Sequence, residues 1–383
     1  MDSLFKSFYM GGFECATHRR NDGLQIDVVA STGHAQNAAE DYTLLREAGI
    51  RTVRDGFRWH LIEAGLPGVY DWSSFLPLFE AARATGTQVI WDLCHWGVPP
   101  SIDVFADDFI TRFADFAKAA ASLIYEQSGG VDGPVPFYCA VNEMSFWAWV
   151  GGDMSAFAPH AQGRGPELKA QLARASIAAI RAVRSVDHRA RFVQAEPIIN
   201  ITPNRDDLED FPELADSTAL YNQSQYEAWD LLSGAKDPDD VGGAPEFLDI
   251  VGVNYYWNNQ WIHGGDRTPP GHEAHRPLHR LLLDLHERYG RPIVITETGA
   301  EADAAAGWLG YIASEVRQAQ REGAEVLGIC LYPVMDYPGW DDERHCPVGL
   351  IEVDDAWERR SLRSGLAQEV RAQTVLLKVA SAA

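Results

Sequence analysis

The sequence predicts one (β/α)₈ barrel spanning residues 1–383, and three observations carry that prediction. Short β-branched or apolar runs alternate with stretches of helical periodicity from end to end, which implies a parallel sheet. Eight such units follow one another with no composition break that would mark a linker, and 383 residues suit a barrel with insertions. Several runs end in polar residues, above all Ala-Val-Asn-Glu at 140–143 and Ile-Val-Ile-Thr-Glu-Thr-Gly at 293–299. The carboxyl ends of barrel strands are where such folds build active sites. The competing open sheet loses its dinucleotide-binding version, because no G-x-G-x-x-G follows the first strand.

Phe8 to Ala16 reads as the first strand. Ala38 to Ala48 is a helix closed by Gly49, and Thr52 to Arg58 is the second strand. A helix over Trp72 to Thr85 opens after Asp71 as N-cap and stops at Gly86. Gln88 to Cys94 is the third strand, its apolar run interrupted by Asp92. Asp107 to Tyr125 carries Phe109, Phe113, Phe116, Ala120 and Ile124 at helical spacing. Pro136 to Asn142 is the fourth strand, Glu167 to Val186 an Ala-rich helix, and Ala190 to Ala195 the fifth strand. Residues 198–245 form the least regular region, with one helix over Ser217 to Leu232. Phe247 to Asn254 is the sixth strand and Pro277 to Tyr289 a helix. Ile293 to Thr296 is the seventh strand, and Gly307 to Glu322 a helix ended by Gly323. Val326 to Tyr332 is the eighth strand, and Ser361 to Lys378 the last helix. Only Val379 to Ala383 reads as disordered.

Hydrophobic residues make up 46% and charged residues 23%, the balance of a globular chain that can fill a core. The net charge of −23 argues against a nucleic-acid partner, whose phosphates would be repelled. No apolar run approaches the length of a membrane span, and Met1 to Phe8 lacks the pattern of a secretory signal. The five cysteines include no C-x-x-C pair; Cys15, Cys94, Cys139 and Cys330 fall in predicted strands, where a free thiol behaves as a small hydrophobe. These features predict a cytoplasmic protein without disulfides or bound metal. Nothing in them fixes the oligomeric state. Twelve Trp, 13 Tyr and 16 Phe are a heavy aromatic load, most of it destined for the core. Trp59, Trp96, Trp257 and Trp340, however, sit at predicted strand ends beside polar residues. Sugars present flat C–H faces that pack on such rings, so a carbohydrate ligand is expected.

If eight strands close, the polar residues at their ends share one mouth. They are His18 or Arg19, Arg54, His95 with Trp96, Asn142 with Glu143, Asn254 with Tyr255 and Tyr256, Glu297, and Asp336 with Trp340. Each alone would be an ordinary core or ion-pair residue. Two glutamates delivered to one mouth are what glycoside hydrolysis requires, an acid and a nucleophile or base.

Nearly the whole chain resembles glycoside hydrolase family 1, the β-glucosidase-like retaining enzymes, and their clan with glutamates on strands 4 and 7. Val-Arg-Asp-Gly-Phe-Arg-Trp-His at 53–60 resembles the family's strand-2 segment, and Gly-Val-Tyr-Asp-Trp at 68–72 the turn after it. Cys-His-Trp-Gly-Val-Pro at 94–99 is similar to its His-Trp-Asp-Leu-Pro. Asn142-Glu143 matches its Asn-Glu-Pro without the proline, which Met144 replaces. Gly252 to Tyr256 matches its strand-6 end, Thr296 to Gly299 its Thr-Glu-Asn-Gly, and Gly349 to Asp354 the segment beyond its strand-8 loop. The resemblance implies that Glu297 attacks the anomeric carbon and that Glu143 protonates the departing oxygen, then activates water. It implies carboxyl groups about 5 to 5.5 Å apart. Arg54 and the Tyr256 hydroxyl would favour the ionised form of Glu297, while Glu143 would start protonated beside Phe146 and Trp147. Asn142 would bond the sugar 2-hydroxyl and His95 the 3-hydroxyl, with Trp340 and Trp257 stacking on sugar faces. Of Tyr255 and Tyr256 only one can face the mouth, and the family pattern selects Tyr256.

The departures concern the substrate. Where the family has a Gln that contacts the 3- and 4-hydroxyls, this chain has Cys-Ala-Thr-His-Arg-Arg at 15–20, so His18 or Arg19 takes that place. Tyr332 stands for the first Trp after strand 8, and Gly339 for the Glu ahead of Trp340. A site that hydrogen-bonds a hydroxyl rejects sugars lacking it, so these changes leave the terminal sugar open. The acidic loop at 339–345 argues against a 6-phosphorylated sugar. Two alternatives use the same residues: a transglycosidase, or a catalytically idle barrel that binds glycan. The presence of Arg54, Asn142 and Tyr256 around both glutamates argues against the idle barrel. No organic cofactor is implied, and the expected partner is a carbohydrate substrate.

Overall fold

Eight strands close into a barrel in chain order: β1 Tyr9–Gly12, β2 Thr52–Gly56, β3 Gln88–Cys94, β4 Phe137–Val141, β5 Arg191–Pro197, β6 Ile250–Asn254, β7 Ile293–Thr298 and β8 Val326–Leu331. Every neighbouring pair, β8 with β1 included, is parallel. The computed structural model describes residues 4–205, 207–208 and 210–382. The long helices include His34–Glu47, Leu76–Thr85, Asp108–Gln127, Gly165–Val186, Leu278–Tyr289, Ala304–Arg321 and Ser364–Ala382. Among the described residues no helix is long and apolar enough to cross a membrane. All five cysteines are free and buried.

Two cores follow from strand alternation. Phe5, Met10, Ile90, Phe137, Val193, Ile250, Val294 and Cys330 pack on one another inside the barrel at the N-terminal ends of the strands. The larger core fills the layer between strands and helices. Counting in twos from the inner core carries the inward face from Ile90 to Asp92, from Met10 to Gly12 and from Cys330 to Tyr332. Gly12 is required there: a Cβ on it would lie 2.2 Å from the Tyr332 ring.

Several sequence-based boundaries change, the first strand among them, which runs only over Tyr9–Gly12. The 217–232 helix is two helices, Glu213–Ser224 and Glu227–Ser233, turning at Gln225 and Tyr226. Asp71 does cap a turn, accepting from the Ser73 amide, but that turn is a short 3₁₀ segment, Trp72–Ser74, ahead of Leu76–Thr85. The last helix begins at Ser364, because Arg360–Leu362 forms an antiparallel hairpin with Ile351–Val353. That helix continues to Ala382 through the segment expected to be disordered, and Ala383 lies outside the described residues.

Candidate active site

Arg54, on β2, is the hub of the mouth and is fully buried. Its Nε and Nη2 donate to Asp92 Oδ1 and Oδ2 at 2.8 and 2.6 Å, a bidentate pair. Nη1 donates to Glu297 Oε1 at 2.7 Å and Nη2 to Asn142 Oδ1 at 2.6 Å. A buried guanidinium is tolerable only when paired this fully. Burial works against the charge on Asp92, but Arg54 and His95 outweigh it and hold the carboxyl below its usual range. Asn142 Nδ2 lies 2.8 Å from His95 Nε2, and His95 Nδ1 lies 3.0 Å from Asp92 Oδ2. Because Asn142 Oδ1 already accepts from Arg54, its nitrogen donates. The network therefore assigns the His95 hydrogen to Nδ1, facing Asp92.

Glu297 reaches this hub through a break in strand alternation. On β7, Val294 points into the inner core, so strict alternation would put Thr296 inward and Glu297 outward. The register slips by one residue on both flanks of β7: Ile295 pairs with Val253 and Ile329, but Glu297 with Asn254 and Thr298 with Leu331. A bulge of this kind re-aims a side chain. Glu297 accepts from Arg54 on Oε1 and from the Tyr256 hydroxyl on Oε2, the latter at 2.9 Å. Tyr255 points the other way, its ring stacked on Trp308 and its oxygen accepting from Gln260 at 2.8 Å.

Glu143 stands one residue past Asn142 at the end of β4, with φ 44° and ψ 62°. That left-handed conformation stores about 1–3 kcal/mol in a residue with a Cβ and must be held by its surroundings. Its amide donates to the Ala195 carbonyl at 2.9 Å. Its Oε1 accepts from Asn254 Nδ2 at 2.8 Å, and Asn254 is fixed in turn by the Thr296 hydroxyl at 2.6 Å. Burial and the charge of Glu297 push the Glu143 carboxyl well above the usual range, with Glu196 adding to both; Asn254 and Arg54 pull the other way.

No family profile and no curated protein matches this sequence. Solved structures do match in three dimensions. A β-glucosidase from Thermotoga maritima in complex with glucoimidazole superposes with a TM-score of 0.79 at 14% identity, covering 98% of this chain and 100% of that one. The β-glycosidase of the hyperthermophile Thermosphaera aggregans gives 0.76 at 16% identity, with 97% of each chain covered. A hyperthermophilic β-glucosidase mutant gives 0.75 at 17% identity, covering 95% and 99%. The chain has the fold of the family 1 β-glucosidases.

Within that fold the remaining residues fall into three groups. His18 sits in an aromatic cluster at the mouth, next to Thr17, whose amide donates to the His95 carbonyl at 3.1 Å. It is buried, stacked 3.8 Å from Phe157, with Trp96 and Trp340 edge-on at 5.9 and 5.7 Å, and neither ring nitrogen has a hydrogen-bond partner. Burial lowers its pKa to about 3. Trp96 also bonds the Asn142 carbonyl through Nε1 at 3.0 Å, and Phe146 lies 5.1 Å from it in the same aromatic cluster. Trp59 belongs to the outer core, stacked on Phe116, and Trp257 is exposed. Trp147 is tied by its Nε1 to the Ala158 carbonyl at 2.8 Å. Asp336 serves the backbone, accepting from the Gly349 amide at 2.8 Å and pairing with Arg363.

The residue facing His95 is Glu14, absent from the sequence-based set. Its Oε1 accepts from the Ala16 amide at 3.0 Å and the Tyr332 hydroxyl at 3.2 Å, and lies 3.6 Å from His95 Nε2. Burial raises its pKa, with the push of Glu297 added. The available signal was the count in twos from Met10 through Gly12, which lands on Glu14. Glu196 was also missed. It ends the predicted strand at 190–195 as Glu143 and Glu297 end theirs, but Arg191 and Gln194 break the apolar run there. Cys15, Asp92 and His95 gather ligand-type atoms, but Asp92 is already taken up by Arg54, so the trio serves the hub.

Proposed function

We propose that the chain is a retaining β-glycoside hydrolase with Glu297 as nucleophile and Glu143 as acid/base. The observation that carries this reading is the unequal treatment of two glutamates at one mouth. Glu297 is gripped through both oxygens by Arg54 and Tyr256, while burial, and then the charge of Glu297, push the Glu143 carboxyl well above its usual range. A carboxyl pushed well above its usual range is the one fitted to act as the acid. Glu143 would give its proton to the departing oxygen as Glu297 bonds to the anomeric carbon. The resulting carboxylate would then draw a proton from the water that releases the sugar. The fold shared with β-glucosidases is consistent with that reading.

The test is turnover of β-aryl glycosides by the wild type, Glu297→Ala and Glu143→Ala. Both variants should lose hydrolysis. Azide should restore cleavage of activated β-aryl glycosides to both, giving an α-glycosyl azide from Glu297→Ala and a β-glycosyl azide from Glu143→Ala. An α-azide from Glu143→Ala overturns the assigned roles, and equal inertness of all three proteins on a broad panel overturns the enzyme reading.

A further inference from the structure

We infer that Glu196 is a positioning residue for the acid/base: its carboxylate clamps the backbone that holds Glu143 and, by its charge, keeps the Glu143 proton in place. The inference rests on the proposed role of Glu143. Glu196 stands near the end of β5 and is wholly buried. Its Oε1 accepts from the Met144 amide at 2.8 Å and its Oε2 from the Ser145 amide at 3.0 Å. Those are the two amides directly after Glu143, at the start of the short helix Met144–Trp147. A helix start leaves such donors without intrahelical partners, and here the neighbouring strand β5 supplies both acceptors. Gln194 Nε2 completes the arrangement, donating to Glu196 Oε1 at 3.2 Å and to the Val141 carbonyl at 2.9 Å. The backbone before and after Glu143 is thus tied to β5 at three points: Val141 carbonyl, Glu143 amide on Ala195, and the two amides on Glu196. This is the restraint that a left-handed glutamate needs.

The electrostatic half follows from the surroundings. Both backbone bonds favour the ionised Glu196. Lys169, on the helix Gly165–Val186, does the same from further away, although its ammonium is bonded to Glu227 at 2.6 Å. Burial opposes them and leaves the carboxyl at about 7. The other charged groups acting on Glu143 are Glu297 on β7 and Arg54 on β2, with Asn254 on β6 as its hydrogen-bond donor. As Glu196 ionises, its negative charge opposes loss of the Glu143 proton, so the general acid survives to higher pH.

Glu196→Gln removes the charge and, because an amide has one acceptor and one donor end, can serve only one of the two backbone amides. The alkaline limb of its kcat/KM profile should move to lower pH by about one pH unit, with the acid limb in place and kcat down several-fold. Glu196→Asp keeps the charge but retreats by one methylene, so its limb should stay near the wild-type position while kcat falls. A uniform loss in Glu196→Gln with no movement of the alkaline limb overturns the inference while leaving the proposed function standing. Should Glu196→Gln not fold, Glu196→Asp carries the test: wild-type turnover in that variant overturns the clamp. Failure of the proposed function itself is read separately, from Glu143→Ala.

Discussion

Glu14 offers the mouth one oxygen and keeps the other for the protein. Its contacts with Ala16, Tyr332 and His95 all fall on Oε1, and among the described residues none falls on Oε2, so that oxygen could accept from a ligand. A sugar hydroxyl donating there would make a charge-assisted bond in a buried site. Glu14→Gln preserves the Oε1 contacts and reverses the polarity of the other end, setting a donor against a donor. kcat/KM for the preferred β-glycoside should then fall by about 10- to 100-fold, the size expected for a hydrogen bond to a charged group. Little change in melting temperature should accompany it. Steady-state kinetics on deoxy-glycosides supplies the control. The substrate lacking the contacted hydroxyl should discriminate poorly between wild type and variant, as a double-mutant cycle requires. Unchanged kinetics across the panel would place Glu14 outside the sugar contacts.

At the scale of elements, the hairpin of Ile351–Val353 and Arg360–Leu362 is fixed to β2 through a buried chain of charges. Arg360 Nε donates to Asp41 Oδ1 at 2.8 Å. His34 bridges Asp41 and Asp55 through its two nitrogens at 2.7 and 2.9 Å, and the Tyr42 hydroxyl donates to Asp55 at 2.6 Å. An imidazole held between two acceptors is a double donor, hence charged. Burial opposes that charge, but Asp55 and Asp41 prevail and raise His34 to about 9. Because the folded pKa is the higher one, its stabilisation is complete below about 6.5 and drains as pH rises through about 9. The gap corresponds to about 3 kcal/mol. Urea unfolding at pH 6 and pH 10 should show wild type losing that much more than His34→Gln; equal losses would exclude the imidazolium. This hairpin also marks where the sequence misleads. Ser361 reads as the start of a helix, and only distant partners, the 351–353 strand and the Asp41 that holds Arg360, place it in a sheet. The eight barrel strands were legible because their apolar runs are local. Glu143 was legible because it ends one. The inward aim of Glu297 was not, since it depends on a bulge visible only in the register with β6 and β8. β1 ends at Gly12, so Glu14 is the residue that meets His95, while His18, six residues past the strand, lies farther along the same rim against Trp96 and Trp340.

At the scale of the whole molecule, a net charge of −23 surrounds a mouth where Asp92 and Glu297 share one buried guanidinium. Arg344, the cation on the loop that carries Trp340, is already bonded to Glu301 at 2.6 and 3.0 Å. Such a field does not act on a neutral glycoside but repels an anionic one, and mobile ions screen that repulsion over about 8 Å at physiological ionic strength. For a neutral β-glycoside, kcat/KM should therefore stay level from about 20 mM to about 500 mM salt. Its 6-phosphorylated counterpart should start at least about tenfold lower at low salt and gain as salt is added, because each increment weakens the repulsion met on approach. Steady-state kinetics on the matched pair reads both slopes. A phosphorylated glycoside that outruns its neutral twin at low salt would mean that a cation other than Arg54 and Arg344 receives it. The terminal sugar would then have to be sought among anionic ones.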